Sequence, residues 1–230
     1  MKDFMKAMKI YIRALYNPVL FILIPCFLVP FLIAMAVDPA KPGTKNYGNM
    51  IALVGMMHVF ILVMFSVGNI KLSSMKFFGS LPQAKVLYTD VPIAATGILC
   101  LILDTVIFAI AVFRCGSGTA ADLLIADAVN AVITCAFNAS SGKIRGKVMS
   151  VTGTVLVCMY FNQMLLLRRI SFINNGFGIS LPYAAVIAAA VYVIGFAVIH
   201  FGMLWWWKKS DRNYTLTPNR GIAGSAAGNN

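Results

Sequence analysis

Two carboxylates occupy positions where an ionised group is costly. Asp104 and Asp127 interrupt long apolar stretches of a 230-residue chain, each near the middle of its stretch. A carboxylate at membrane depth faces a cavity or a partner, or takes up a proton. Asn130, Asn162 and Gln163 add hydrogen-bonding groups within similar stretches. Two roles follow for this set. It forms a polar translocation path in which Asp104 or Asp127 carries protons, or it makes helix–helix hydrogen bonds that hold a bundle together. The second role is favoured. His58 and His200 stand alone in the sequence and read as packed, hydrogen-bonded residues rather than ligands. Cys26, Cys100, Cys115, Cys135 and Cys158 include no CxxC pair and read as spectator thiols. No GxxxxGK[ST], HExxH or GxSxG pattern occurs. The sequence therefore offers no catalytic group, no metal site and no cofactor site, and an enzyme is not expected.

The elements that position these groups are set by composition. The chain is 60% hydrophobic and 11% charged, with mean hydropathy +0.84. Globular domains are about 45–50% apolar and about 25% charged. The surplus apolar surface must face lipid. Six stretches are long enough to span a bilayer: Pro18–Val37, Met50–Asn69, Val91–Phe113, Thr119–Phe137, Val148–Leu167 and Pro182–Trp207. The expected fold is an all-α integral membrane protein with six transmembrane helices. The fourth span is the weakest, since Asp122, Asp127 and Asn130 lie in it. The Lys-rich start and Ala34-Met35-Ala36 imitate a signal peptide, but the length of the apolar run and the five later spans favour an uncleaved helix.

Charge sets the direction. Fourteen Lys and Arg residues fall on the side of the N-terminus and five on the other. The positive-inside rule then gives both ends in the cytoplasm and a multi-pass protein of a cell membrane, read as a bacterial cytoplasmic membrane. The net charge of +12 is a matter of topology and lipid headgroups, and nucleic acid is not an expected partner.

Residues 1–17 form an amphipathic interfacial helix ahead of the six-span domain, residues 18–207. Lys2, Lys6, Lys9 and Arg13 occupy one arc of its wheel, and Phe4, Met8, Tyr11 and Leu15 another. Such a helix lies flat in the interface. Trp205, Trp206 and Trp207, followed by Lys208, anchor the last span at the same membrane face. The tail, residues 208–230, is rich in Gly, Asn and Ala and is expected to be disordered. The loop Ile70–Asp90 is the longest connection on that face. It predicts a short helix over Leu72–Phe78, stopped by Gly79 and Pro82. Phe77 and Phe78 then meet either a protein partner or the headgroups.

The helix before the first span, the six spans and the Ser80-Leu81-Pro82 step followed by Lys85 carry a resemblance. In these features the chain resembles the membrane (permease) subunits of type-2 ABC exporters. In that family the loop between spans two and three is similar to a coupling helix that docks on an ATPase. The resemblance implies an ATPase-docking loop made by Leu72, Met75, Phe77, Phe78, Leu81, Pro82 and Lys85. It also implies separately encoded ABC ATPase subunits and a second permease chain as partners, in a homo- or heterodimer within the lipid bilayer. The chain departs from the family pattern in two places. Lys71–Gly79 lacks an acidic residue, and Asp90 stands where a basic one is common. The alternatives are an ATP-independent secondary transporter or channel that uses Asp104 and Asp127, and a non-transporting assembly or immunity protein.

Overall fold

A computed structural model describes residues 2–16, 18–44, 46–74, 81–141 and 176–209, and all of their regular structure is helical. The helices are α1 (Lys2–Leu15), α2 (Pro18–Val37), α3 (Tyr47–Ser74), α4 (Ala84–Tyr88), α5 (Asp90–Ile110), α6 (Ser117–Ser141) and α7 (Leu181–Lys209). Four described segments are long and apolar enough to cross a membrane: Tyr47–Ser66, Asp90–Cys115, Ser117–Ser141 and Leu181–Lys208. Pro25–Val37 of α2 is a shorter apolar helix. The architecture is compatible with a multi-pass membrane protein. The expected span Val148–Leu167, with Asn162 and Gln163, lies outside the described residues, as do Met75, Phe77 and Phe78 of the loop and residues 210–230 of the tail.

The helices run past the expected span edges because polar residues at their ends find partners. At one end of the bundle, α3 and α6 are tied together. The Asn69 amide donates to the Asn138 carbonyl at 2.7 Å and to Ser141 Oγ at 3.0 Å, and Ser66 donates to Asn138 Oδ1 at 2.9 Å. These bonds carry helix on to Ser74 and Ser141. At the other end, Tyr47 on α3 donates its hydroxyl to Asp122 on α6, and Asp122 also accepts from the Phe177 backbone N–H at 3.0 Å. That bonding gives Asp122, one of the two aspartates in the expected fourth span, its partners. Helices α3 and α6 are thus parallel. The helix α5 closes in a π turn, Ala111–Cys115, where the Gly116 N–H reaches the Ala111 carbonyl at 3.0 Å. Beside it, Arg114 Nε donates to the Ala36 carbonyl at 2.9 Å and fastens α2.

The apolar arc of helix α1 is turned onto protein. Ala7, Tyr11 and Leu15 are buried, with Phe4 and Met8 packed beside them. The cause is specific fit. Tyr11 donates to Asn69 Oδ1 at 2.7 Å and stacks on Phe65, with ring centroids 6.2 Å apart. Gly68 makes the room: a Cβ there would sit 1.8 Å from Leu15 Cδ2. Lys6, Lys9 and Arg13 remain exposed, as expected, while Met5, Ile12 and Tyr16 make a separate exposed apolar edge.

Candidate functional site

Four helices converge on one polar centre inside the bundle. His58 comes from α3, Asp104 from α5, Asp127 from α6 and Tyr192 from α7. Each of His58, Asp127 and Tyr192 lies ten or eleven residues from the start of its helix. At 1.5 Å per residue that is about 15–17 Å. The hydrocarbon core of a bilayer is about 30 Å thick, so this is the midplane depth of a span that begins at the helix start. Helices α6 and α7 approach closely here. A Cβ on Gly195 would meet Val132 at 2.5 Å, so only glycine allows the contact.

The geometry fixes most of the protons. His58 Nδ1 is 3.0 Å from the Val54 carbonyl. A carbonyl oxygen only accepts, so Nδ1 carries a proton in every state of the ring. His58 Nε2 is 2.9 Å from Asp104 Oδ1. In the neutral ring Nε2 bears a lone pair, so this contact needs a cation or a further proton between its atoms. Asp104 Oδ2 accepts from the Tyr192 hydroxyl. Asp127 is fully buried, and neither of its oxygens has a hydrogen-bond partner among the described residues. Ligand-type atoms of His58, Asp104 and Asp127 all lie within 4.8 Å of one another.

No family model, curated protein or solved structure matches the chain.

The centre must therefore be read from its own chemistry, which is short of positive charge. Two bare carboxylates at about 4 Å repel by about 4 kcal/mol even at an effective dielectric of about 20. The only side-chain donors that reach them among the described residues are Tyr192 and, when protonated at Nε2, His58. Protons or a metal ion would neutralise such a centre. Next to it lie the Cys100 and Cys135 thiols, on α5 and α6. They are two of the thiols read as spectators, and both are buried and free.

The structure brings together only part of the expected set. Asp104 and Asp127 meet, and His58 is packed and hydrogen-bonded as expected. Asn130 is half-buried on α6, outside the cluster. His200 lies far down α7, with Nδ1 3.1 Å from Asp90 Oδ1. Of the expected docking loop, Leu72 is buried at the end of α3, Leu81 is half-buried, and Pro82 and Lys85 are exposed. Among the tryptophans, Trp205 is exposed, Trp206 is half-buried, and Trp207 stacks on Tyr88 with centroids 6.4 Å apart. Sequence reasoning missed the grouping of His58 and Tyr192 with the aspartates. Matching depth is the signal that shows it: ten or eleven residues from the starts of α3, α6 and α7, and eleven before the end of the π turn that closes α5.

Proposed function

We propose that the chain is the permease subunit of an ABC exporter, forming a translocation pathway as a homo- or heterodimer and driven by separately encoded ATPase subunits. The observation that carries this reading is the packing of α1 against α3, α4 and α5. It gathers exposed Lys6, Lys9, Arg13, Pro82 and Lys85 at one end of the bundle. Taken with the cation count, that end is cytoplasmic. Helix α1 and residues 81–83, which lead into α4, then offer an ATPase a shared footing. A push there reaches α3 and α5 directly. The exposed apolar residues of α7, among them Val186, Val193, Val198 and Phe201, suit lipid or a second permease chain. The test is purification of the tagged chain in mild detergent. An ATPase subunit is expected to co-purify with the unaltered chain and to be depleted with Lys85→Glu. Recovery of none from the unaltered chain sinks the reading.

The buried His58–Asp104–Asp127 centre favours a second reading, a cation-coupled transporter that needs no ATPase. In reconstituted vesicles, Asp104→Asn and Asp127→Asn then abolish transport driven by an ion gradient alone. Transport that depends on ATP and is indifferent to both substitutions excludes it.

A further inference from the structure

We propose that His58, Asp104 and Asp127 form a binding site for one divalent transition-metal cation at the centre of the membrane-spanning bundle.

Three independent features of the cluster point to a metal ion. The first is the histidine. Its Nδ1–H is committed to the Val54 carbonyl at 3.0 Å, which turns Nε2 inward as the free ligand atom. Metal-binding histidines are commonly oriented in this way, by a bond from the second ring nitrogen to a backbone carbonyl or carboxylate. The second is Asp127. It is wholly buried, without a hydrogen-bond partner among the described residues, and has an oxygen within 4.8 Å of both other ligand atoms. A bare carboxylate in such a position has only a cation or a proton to neutralise it. The third is spacing. At metal–ligand bonds of about 2.0–2.2 Å, neighbouring ligand atoms sit about 3–3.5 Å apart. His58 Nε2 and Asp104 Oδ1, at 2.9 Å, are near that spacing. Asp127 stands beyond direct hydrogen-bonding reach of the pair, with an oxygen within 4.8 Å of both atoms, and must move toward an ion held between them.

Charge and donor type narrow the ligand. Two carboxylates and one divalent ion are together neutral, as a low-dielectric setting requires. Calcium and magnesium prefer all-oxygen ligands. An imidazole nitrogen beside carboxylate oxygens suits manganese, iron, cobalt, nickel or zinc. A pair of protons fits less well, because a proton on Asp127 has no acceptor within reach among the described residues. Tyr192 supports the site from outside by holding Asp104 Oδ2.

The experiment uses the full-length, untagged chain in detergent, stripped with a chelator and then titrated with Co2+ and Zn2+. One metal per chain by mass spectrometry of the metal, and a visible Co2+ absorption band, are expected. His58→Gln and Asp127→Asn should each weaken binding at least tenfold. Size-exclusion profiles show whether those variants are folded. If they are not, X-ray absorption of the Co2+-loaded unaltered chain decides, with imidazole scattering expected in the first shell. The proposal is overturned by failure to bind either ion stoichiometrically, by unaltered binding in both folded variants, or by a bound ion without imidazole. Because binding is read on the isolated chain, the result is independent of ATPase co-purification.

Discussion

The bundle holds two polar islands, and they are built on opposite principles. At the α1 end, Tyr11, Ser66, Asn69, Asn138 and Ser141 are all neutral. Nearly every acceptor there meets a donor, at 2.7–3.0 Å, and the Asn138 amide nitrogen is the one buried side-chain atom of that group left over. At the midplane, two carboxylates and an imidazole face one another with too few donors. A neutral, matched network stabilises packing, because buried polar groups that are satisfied cost little. A charged, unmatched one carries a cost unless something else binds, so it marks a site and not a brace. The contrast separates helix–helix adhesion from ligand chemistry, two roles that look alike when only the residue types are known.

The largest expected effect comes from breaking the midplane island. His58→Leu removes the imidazole 2.9 Å from Asp104 and leaves Tyr192 as the one side-chain donor to the two carboxylates among the described residues. Breaking a buried pair in this way costs about 3–5 kcal/mol. Denaturation of the purified chain in detergent should show that loss. A cost below about 1 kcal/mol would mean that the cluster is a neutral hydrogen-bonded brace like the other island.

Tyr11→Phe tests the α1 island on a smaller scale. It leaves Asn69 Oδ1 buried without its donor, for about 1–3 kcal/mol. No change in metal binding at the midplane should accompany it. Gly68→Ala attacks the same island by shape alone, since the added methyl group overlaps Leu15. Overpacking of this kind costs about 1–3 kcal/mol. The loss should appear as faster hydrogen exchange in α1 and not in α6. If both helices loosen together, α1 is part of the core and the two islands are one cooperative unit.

How much of this was legible in the sequence differs between the islands. The long apolar runs announced their helices. Pro18–Val37 matches α2 residue for residue, since Asn17-Pro18 starts it and Asp38 ends its apolar run. Span edges at Asn69 and Phe137 were too short because their end residues are polar, and only the partners that α3 and α6 give each other make those turns stable. Asp104 and Asp127 stood out because a carboxylate in an apolar run is costly wherever the chain goes. His58 did not, since a histidine in a helix is ordinary until a carboxylate 46 residues away arrives at 2.9 Å. The docking of α1 was half-visible: the wheel showed two faces, but amphipathicity alone does not distinguish lipid from protein. Gly68 and Asn69, which decide between them, lie more than fifty residues downstream of α1.

The smallest expected effect separates the islands by pH. Burial raises the Tyr11 phenol above its ordinary range, and burial pushes Tyr88, beside the same island, up to about 12. Tyr88 donates to the Leu72 carbonyl at 3.2 Å and stacks on Trp207. An unfolded tyrosine ionises near pH 10. Both groups therefore keep their protons in the folded chain after the unfolded chain has lost them. The stability they contribute is fully present below about pH 10 and falls as pH rises above it, because the native state then binds more protons. For Tyr88 the loss is complete once pH passes about 12. Melting in detergent should thus be flat through neutral pH, as far as the α1 end is concerned, and drop in strong alkali. Tyr88→Phe removes part of the drop and Tyr11→Phe a further part, since phenylalanine has no proton to lose. An alkaline transition identical in both variants would assign it to the midplane island instead, and the α1 end would then be silent at alkaline pH as well.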